Sequence, residues 1–137
     1  MIYGIGSVYG STDEKLGQFV SSNIACIGWE RDEAPALHQL LNRIAVGDLI
    51  YIKSFPASRG LYIKAVGVVT SPEIFNIPGL GYGRAVKWVW SATNGNDAIH
   101  LGRIDDRYDN MRLGTLYEEL GPLVQQRVVD VLLTPAA

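Results

Sequence analysis

The stretch that most restricts how this chain can fold is residues 46–69, VGDLIYIKSFPASRGLYIKAVGVV. Leu49, Ile50, Tyr51 and Ile52 form one run, and Leu61, Tyr62, Ile63, Val66, Val68 and Val69 form another. β-Branched and aromatic side chains fit a pleated, packed surface. Pro56 and Gly60 lie between the runs, so a short polar connection turns the chain back on itself. The spacing predicts a long antiparallel hairpin at the centre of a small sheet. In the second run Leu61, Ile63, Ala65, Gly67 and Val69 alternate with Tyr62, Lys64, Val66 and Val68. Both alternating sets are largely apolar. A sheet covered on both faces follows, curled around its own core, with helices outside.

The chain has 137 residues, 47% hydrophobic and 19% charged, which suits one folded domain rather than a disordered segment. No apolar run approaches the roughly 20 residues of a membrane span. The start, MIYGIGSVYG, lacks the pattern of a secretory signal, and the single Cys26 has no internal disulfide partner. The expected setting is the cytoplasm, with no membrane partner. A net charge of −2 argues against wrapping long duplex by charge alone. It leaves open the reading of one base or a small ligand.

Residues 2–8 read as a first strand and residues 23–29 as a second, ending at Trp29. Ser11 and Glu14 have capping-box spacing, as do Thr115 and Glu118, so each pair predicts the start of a helix. Leu37, Leu40, Leu41 and Ile44 recur at helical spacing after Pro35, which predicts a helix over about residues 35–44. Residues 71–82, rich in Pro and Gly, read as a long loop. Residues 85–90 and 98–104 read as two strands joined at Asn94-Gly95, a strong hairpin-turn pair. A C-terminal helical segment is expected over about residues 115–133. The whole, residues 1–137, is expected to be one α+β domain. Its sheet is a small curved or closed, mainly antiparallel β-barrel of about five or six strands, with helices packed outside.

The order of elements resembles that of PUA-like domains, most closely the branch containing EVE, YTH and ASCH domains. It runs strand, helix, strand ending in Trp29, helix, Gly47-Asp48, strand ending in Lys53-Ser54, strand with an apolar-Gly-apolar pattern, and a strand bearing tryptophan. The resemblance covers roughly residues 1–105. It departs from EVE domains on the first strand, where Gly4-Ile5-Gly6-Ser7 stands in place of a Lys-Ser-Glu-Pro element, and after Trp29, where Glu30-Arg31-Asp32 follows. It implies a non-catalytic module that holds RNA or DNA through a single flipped or modified base in an aromatic pocket, with no cofactor. ASCH relatives imply an alternative, a small hydrolase acting on a modified nucleoside through a Lys and an acidic partner, for which Lys53 and Glu30 are the first pair. A third reading is a protein-interaction or regulatory module of a defence or stress system, with a protein partner.

The candidate ligand-binding residues are Ser7, Trp29, Glu30, Lys53, Ser54, Phe55 and Trp88. A base offers two π-faces and a hydrogen-bonding edge, so its pocket needs aromatic walls and a few polar groups. Trp29 is either a stacking wall or a core-edge indole closing the barrel. Trp88 and Trp90, two residues apart, share one face of a strand, with one in the core or both forming an exposed stacking platform. Ser54 is a base-edge donor or a strand-end turn residue, and Lys53 a phosphate ligand or an edge charge. Asp48 reads as fixing the turn before its strand. Arg59, Lys64, Arg84 and Lys87 are either a basic rim or a scattered solvated set. Cys26, in an apolar run, reads as a buried thiol. Metal-ligand spacing is absent from the sequence. The exposed side of the Trp88 strand leaves room for a homodimer.

Overall fold

The computed structural model describes residues 1–93 and 97–134. The Asn94-Gly95 turn therefore lies outside the described residues. The elements are β1 (Ile2–Gly6), β2 (Val8–Tyr9), β3 (Asp13–Glu14), α1 (Leu16–Ser21), β4 (Ile24–Ile27) and α2 (Pro35–Arg43). There follow β5 (Leu49–Ser54), β6 (Leu61–Ile77), β7 (Gly81–Ser91), β8 (Ile99–Gly102), a 3₁₀ turn (Asp109–Leu113), β9 (Leu116–Glu118) and α3 (Pro122–Leu133). The main sheet runs β4-β7-β6-β5-β1-β9, with β8 also paired to β6. It is mixed, because β1 and β5 are parallel while the other pairs are antiparallel. β4 and β9 end the path without pairing to each other. The fold is therefore α+β with a curled half-barrel, not a closed barrel. No described helix is long and apolar enough to cross a membrane.

The central hairpin forms as β5 and β6, and it is covered on both faces. Ile50, Ile52, Ala65 and Val69 join Tyr3, Ile5, Phe19 of α1 and Leu41 of α2 in one core. Tyr51, Leu61, Ile63 and Val66 pack against Val124 and Val128 of α3 in the other. The simple alternation of β6 fails at one place. Ile52 pairs with Ala65 but Lys53 pairs with Ile63, so Lys64 is an extra, bulged residue. A bulge shifts the side-chain period by one. Leu61 and Ile63 therefore face the α3 core, while Ala65 and Val69 face the other. The same device separates the tryptophans. A register shift where Val66 and Gly67 oppose Trp90 and Trp88 leaves Val89 extra, so Trp88 packs on the first core and Trp90 on the second. The shared platform does not form. Gly67 sits at this shift because a Cβ there would lie 2.6 Å from the Lys87 carbonyl and from Val86.

Three other expectations are revised. The long loop is instead a hairpin. β6 continues to Ile77 and pairs with β7 from Gly81; pairing lapses only between Val69 and Ile74, where Pro72 has no N–H to give. β8 returns to β6 rather than to β7: it pairs with Leu61–Ile63, the part of that β6 edge that β7 leaves at Ser91. Neither capping box caps a helix, although the short helix expected after Ser11 does form just beyond it, as α1. Asp13–Glu14 pairs with Val8–Tyr9, and Leu116–Glu118 adds to the edge of β1. Strand pairing and burial of Leu116 and Tyr117 outweigh a local capping preference. Asp48 does fix its turn, accepting the Ala45 N–H at 2.8 Å.

Two buried guanidiniums lock the layers together. Arg84 donates to the carbonyls of Leu41, Ile44 and Ser71, tying the end of α2 to the sheet. Arg112 makes a bidentate pair with Glu119, 2.9 and 2.7 Å, and further bonds to Asp106 and Asp109. Tyr51 donates to Glu119 at 2.6 Å, so Tyr117 donates to Tyr51 at 2.7 Å. Burial and the neighbouring Tyr117 and Glu119 hold the Tyr51 hydroxyl well above its ordinary pKa. Tyr117 lies directly over Gly4, whose missing side chain makes the room. Removing one member of a buried ion pair strands the other, at a cost of roughly 3–5 kcal/mol. Arg112→Met should therefore lose about that much stability in urea unfolding, whereas Arg107→Met, at an exposed residue, should change it by less than about 0.5 kcal/mol.

Candidate ligand cavity at the parallel strand ends

Parallel strands finish at the same end of a sheet. Gly6 is paired with Lys53 in the β1–β5 register, so the residues that follow each strand emerge together. The end of β4 and the β2–β3 hairpin come to the same place. Between them lies a cavity of about 410 Å³, lined by Ser7, Tyr9, Trp29, Lys53, Ser54, Phe55 and the segment Leu113–Thr115 among others. That volume falls within the roughly 300–1,000 Å³ of small-ligand pockets.

Five of the seven residues singled out in the sequence thus meet at one cavity: Ser7, Trp29, Lys53, Ser54 and Phe55. Glu30 lines a neighbouring hollow of about 320 Å³ with the β6–β7 tip. Trp88 lines neither hollow, and its indole N–H is shared between the carbonyls of Phe19 and Ile24 at 3.1 and 3.3 Å. Tyr9, Gly28 and Trp29 line both hollows and form the ridge between them.

Trp29 is 46% exposed, so its ring is open to a ligand rather than sealed in the core. Its carbonyl accepts a hydrogen bond from His38 Nε2 at 2.8 Å. A carbonyl only accepts, so Nε2 carries the proton. The His38 ring is braced edge-on by Tyr82, centroids 5.1 Å apart. Tyr9 donates to the Leu80 carbonyl at 2.5 Å and sets its edge toward Phe19. The Tyr9 ring is thereby held beside Gly28, and the Trp29 backbone that carries the indole is tied to α2.

The polar groups divide by whether the protein already satisfies them. Ser7 is fully buried and donates to Glu14 Oε1 at 2.6 Å. Glu14 also accepts from the Leu16 N–H and pairs with Lys64 at 2.8 Å. Burial alone would raise the Glu14 carboxyl, but the hydrogen bonds from Lys64 and Ser7 bring it below its ordinary value. Ser54 makes no hydrogen bond to the described residues through its hydroxyl. Lys53 is the exception among the charges. It is 9% exposed, yet its ammonium has no hydrogen bond or ion pair among the described residues. Its neighbours are the Tyr117 ring, 6.0 Å from Nζ to the centroid, and the backbone of Gly6. Burial, and then the positive charge of Lys64, push Lys53 down to about 8. The bulge in β6 is what brings Lys64 to this side.

Arg84 and Lys64 are withdrawn from any basic rim, since both are buried and bonded within the protein. Cys26 is buried, and burial pushes its thiol up to about 12, which leaves no thiolate at neutral pH. No metal-binding cluster is found among the described residues. Tyr9, Leu113 and Thr115 are lining residues that the candidate set lacks. Residue 9 carries only the signal of an aromatic beside a glycine. The segment around Thr115 is disguised by its helix-like capping spacing. No protein-family model and no curated protein matches this chain.

A largely buried ammonium with no hydrogen-bonding or ionic partner weakens a fold. Lys53→Met should raise the melting temperature by about 2–6 °C at pH 7. The pH dependence has a definite sign. Between about pH 8 and the ordinary lysine value the unfolded chain holds a proton that folded Lys53 has released, so this group favours folding increasingly as pH rises through that window. The gap in melting temperature between wild type and Lys53→Met should narrow from pH 7.5 to pH 10. A scanning-fluorimetry series across that range checks both statements.

Proposed function

We propose that this chain is a PUA-like domain of the EVE and ASCH type, and that it reads a single flipped or modified base of RNA or DNA without catalysing a reaction. The observation that carries this reading is the exposed indole of Trp29 at a cavity that also holds Phe55, the Ser54 hydroxyl and Lys53. A stacking face, an apolar flank and free hydrogen-bonding groups are what a base requires. The half-barrel sheet with outer helices is compatible with a small barrel-like fold, which this reading requires.

A hydrolase of the ASCH kind is less well supported. It needs an acid beside the lysine, and Glu30 lines the other hollow. The carboxylate on this side, Glu14, is occupied by Lys64, Ser7 and the Leu16 N–H. Turnover of an acylated cytidine would nevertheless favour the hydrolase.

Base–aromatic stacking contributes on the order of 1–3 kcal/mol, which is about 5- to 150-fold in affinity. Trp29→Ala should weaken binding by that factor and remove ligand-induced quenching of tryptophan fluorescence, while Trp90→Phe should leave affinity within about twofold. The measurement is a titration with modified and unmodified nucleosides and short single-stranded oligonucleotides. Absence of any binding up to millimolar concentration sinks the proposal.

A further inference from the structure

The cavity contains a charge that nothing in the described protein answers. Four cationic side chains are buried among the described residues: Lys53, Lys64, Arg84 and Arg112. Arg112 is met by Glu119, Asp106 and Asp109, Lys64 by Glu14, and Arg84 by three carbonyls. Lys53 alone has no hydrogen-bonding or ionic partner, and it is the one of the four that lines the cavity. No Asp or Glu is among the residues lining that cavity. Glu14 already neutralises Lys64, so the pair leaves the charge of Lys53 whole. Buried charges in proteins are normally paired. An unpaired one at a ligand cavity is the expected mark of a site completed by its occupant.

We propose that Lys53 is an anion anchor, and that the cavity takes a nucleotide bearing a phosphate monoester rather than a bare nucleoside. The base half of this statement rests on the base-reading proposal; the anion half rests on Lys53 alone. A base carbonyl would offer the ammonium a hydrogen bond but no counter-charge. A phosphate monoester supplies both, and an ammonium is well suited to it as a compact point charge. The neighbouring hollow shares Tyr9, Gly28 and Trp29 with the cavity, so a stacked base and an anchored phosphate need not compete for one space. The same chemistry is offered by a free mononucleotide and by the phosphorylated end of a strand.

Lys53 faces Lys64 of β6 and Tyr117 of β9, with Glu14 of β3 behind Lys64 and Tyr9 of β2 on the cavity wall. Burial holds both tyrosine hydroxyls above their ordinary range, and Glu14 is held below its own. Of Tyr9, Tyr117, Glu14 and Lys53, the group whose charge changes near pH 8 is therefore Lys53, protonated and attractive below about that pH. A phosphate monoester is mostly doubly charged above its second pKa of about 6.

The test is calorimetric or fluorescence titration of five probes: a nucleoside, its 5′-monophosphate, ribose 5-phosphate, and a single-stranded tetranucleotide with and without a 5′-phosphate. Each is run against wild type, Lys53→Met, Lys53→Arg and Trp29→Ala. The expected result is a phosphate-dependent gain of at least tenfold at pH 7 in wild type. It is abolished in Lys53→Met, largely kept in Lys53→Arg, and lost as pH rises past about 8. A gain confined to the mononucleotide assigns a free nucleotide as ligand; a gain confined to the tetranucleotide assigns a strand end. Equal affinity for nucleoside and monophosphate overturns the anion anchor and leaves base reading standing, as does a gain that survives in a folded Lys53→Met. Ribose 5-phosphate binding as tightly as the nucleotide, with Trp29→Ala without effect, overturns base reading and supports the anchor. No binding by any probe overturns both.

Discussion

Strand β5 has a parallel partner on one side, an antiparallel partner on the other, and packed side chains on both faces. The rest of the molecule depends on that position. Tyr51 points to the α3 side while Ile50 and Ile52 point to the other core. A strand so enclosed cannot slip by one residue without placing each side chain in the wrong layer. Its register with β1 is therefore held, and that register decides which residues leave the sheet together. Lys53 and Gly6 are paired near the ends of their strands on the same side, and the candidate cavity is the space beyond them.

The bulge at Lys64 is the second constraint. It switches the faces of β6, letting Leu61 and Ile63 serve one core and Ala65 and Val69 the other. It also sends a second ammonium toward Lys53. Glu14 and Ser7 then become a support for Lys64, reached through the β2–β3 hairpin. The electrostatics of the cavity thus follow from one extra residue in a strand. The contrast with Arg84 and Arg112 is instructive, because those cations lie deeper and use their hydrogen bonds to join layers, with only Arg84 Nε left unpartnered.

Much of the framework is legible in the residues. The β5–β6 runs, the periodicity of α2 and the apolar run of β4 are local patterns, and each forms close to where its pattern lies. Trp29, Lys53, Ser54 and Phe55 are legible as candidates because they stand where apolar runs stop. Residues 14 and 115–118 mislead, since capping spacing is a weak local preference that an available sheet edge outweighs. Residues 71–77 mislead because Pro72 interrupts a strand without ending it. Arg112 shows no signal at all within its polar segment; only the approach of Glu119 from seven residues away gives it a function in the fold.

By itself the sequence determined an α+β domain with a strand hairpin apolar on both faces, and it marked the chain segments at which a site was to be sought. Those properties depend on near neighbours along the chain, where hydrophobic alternation and turn residues act directly. Only the tertiary structure decided that Trp29 and Lys53 share a cavity, that Glu30 lines a different hollow and that Trp88 belongs to the core. It also decided that Lys53 alone, of four buried cations among the described residues, has neither a hydrogen-bonding nor an ionic partner. These outcomes rest on strand register and on a one-residue bulge, and both are set by how two buried faces pack at once.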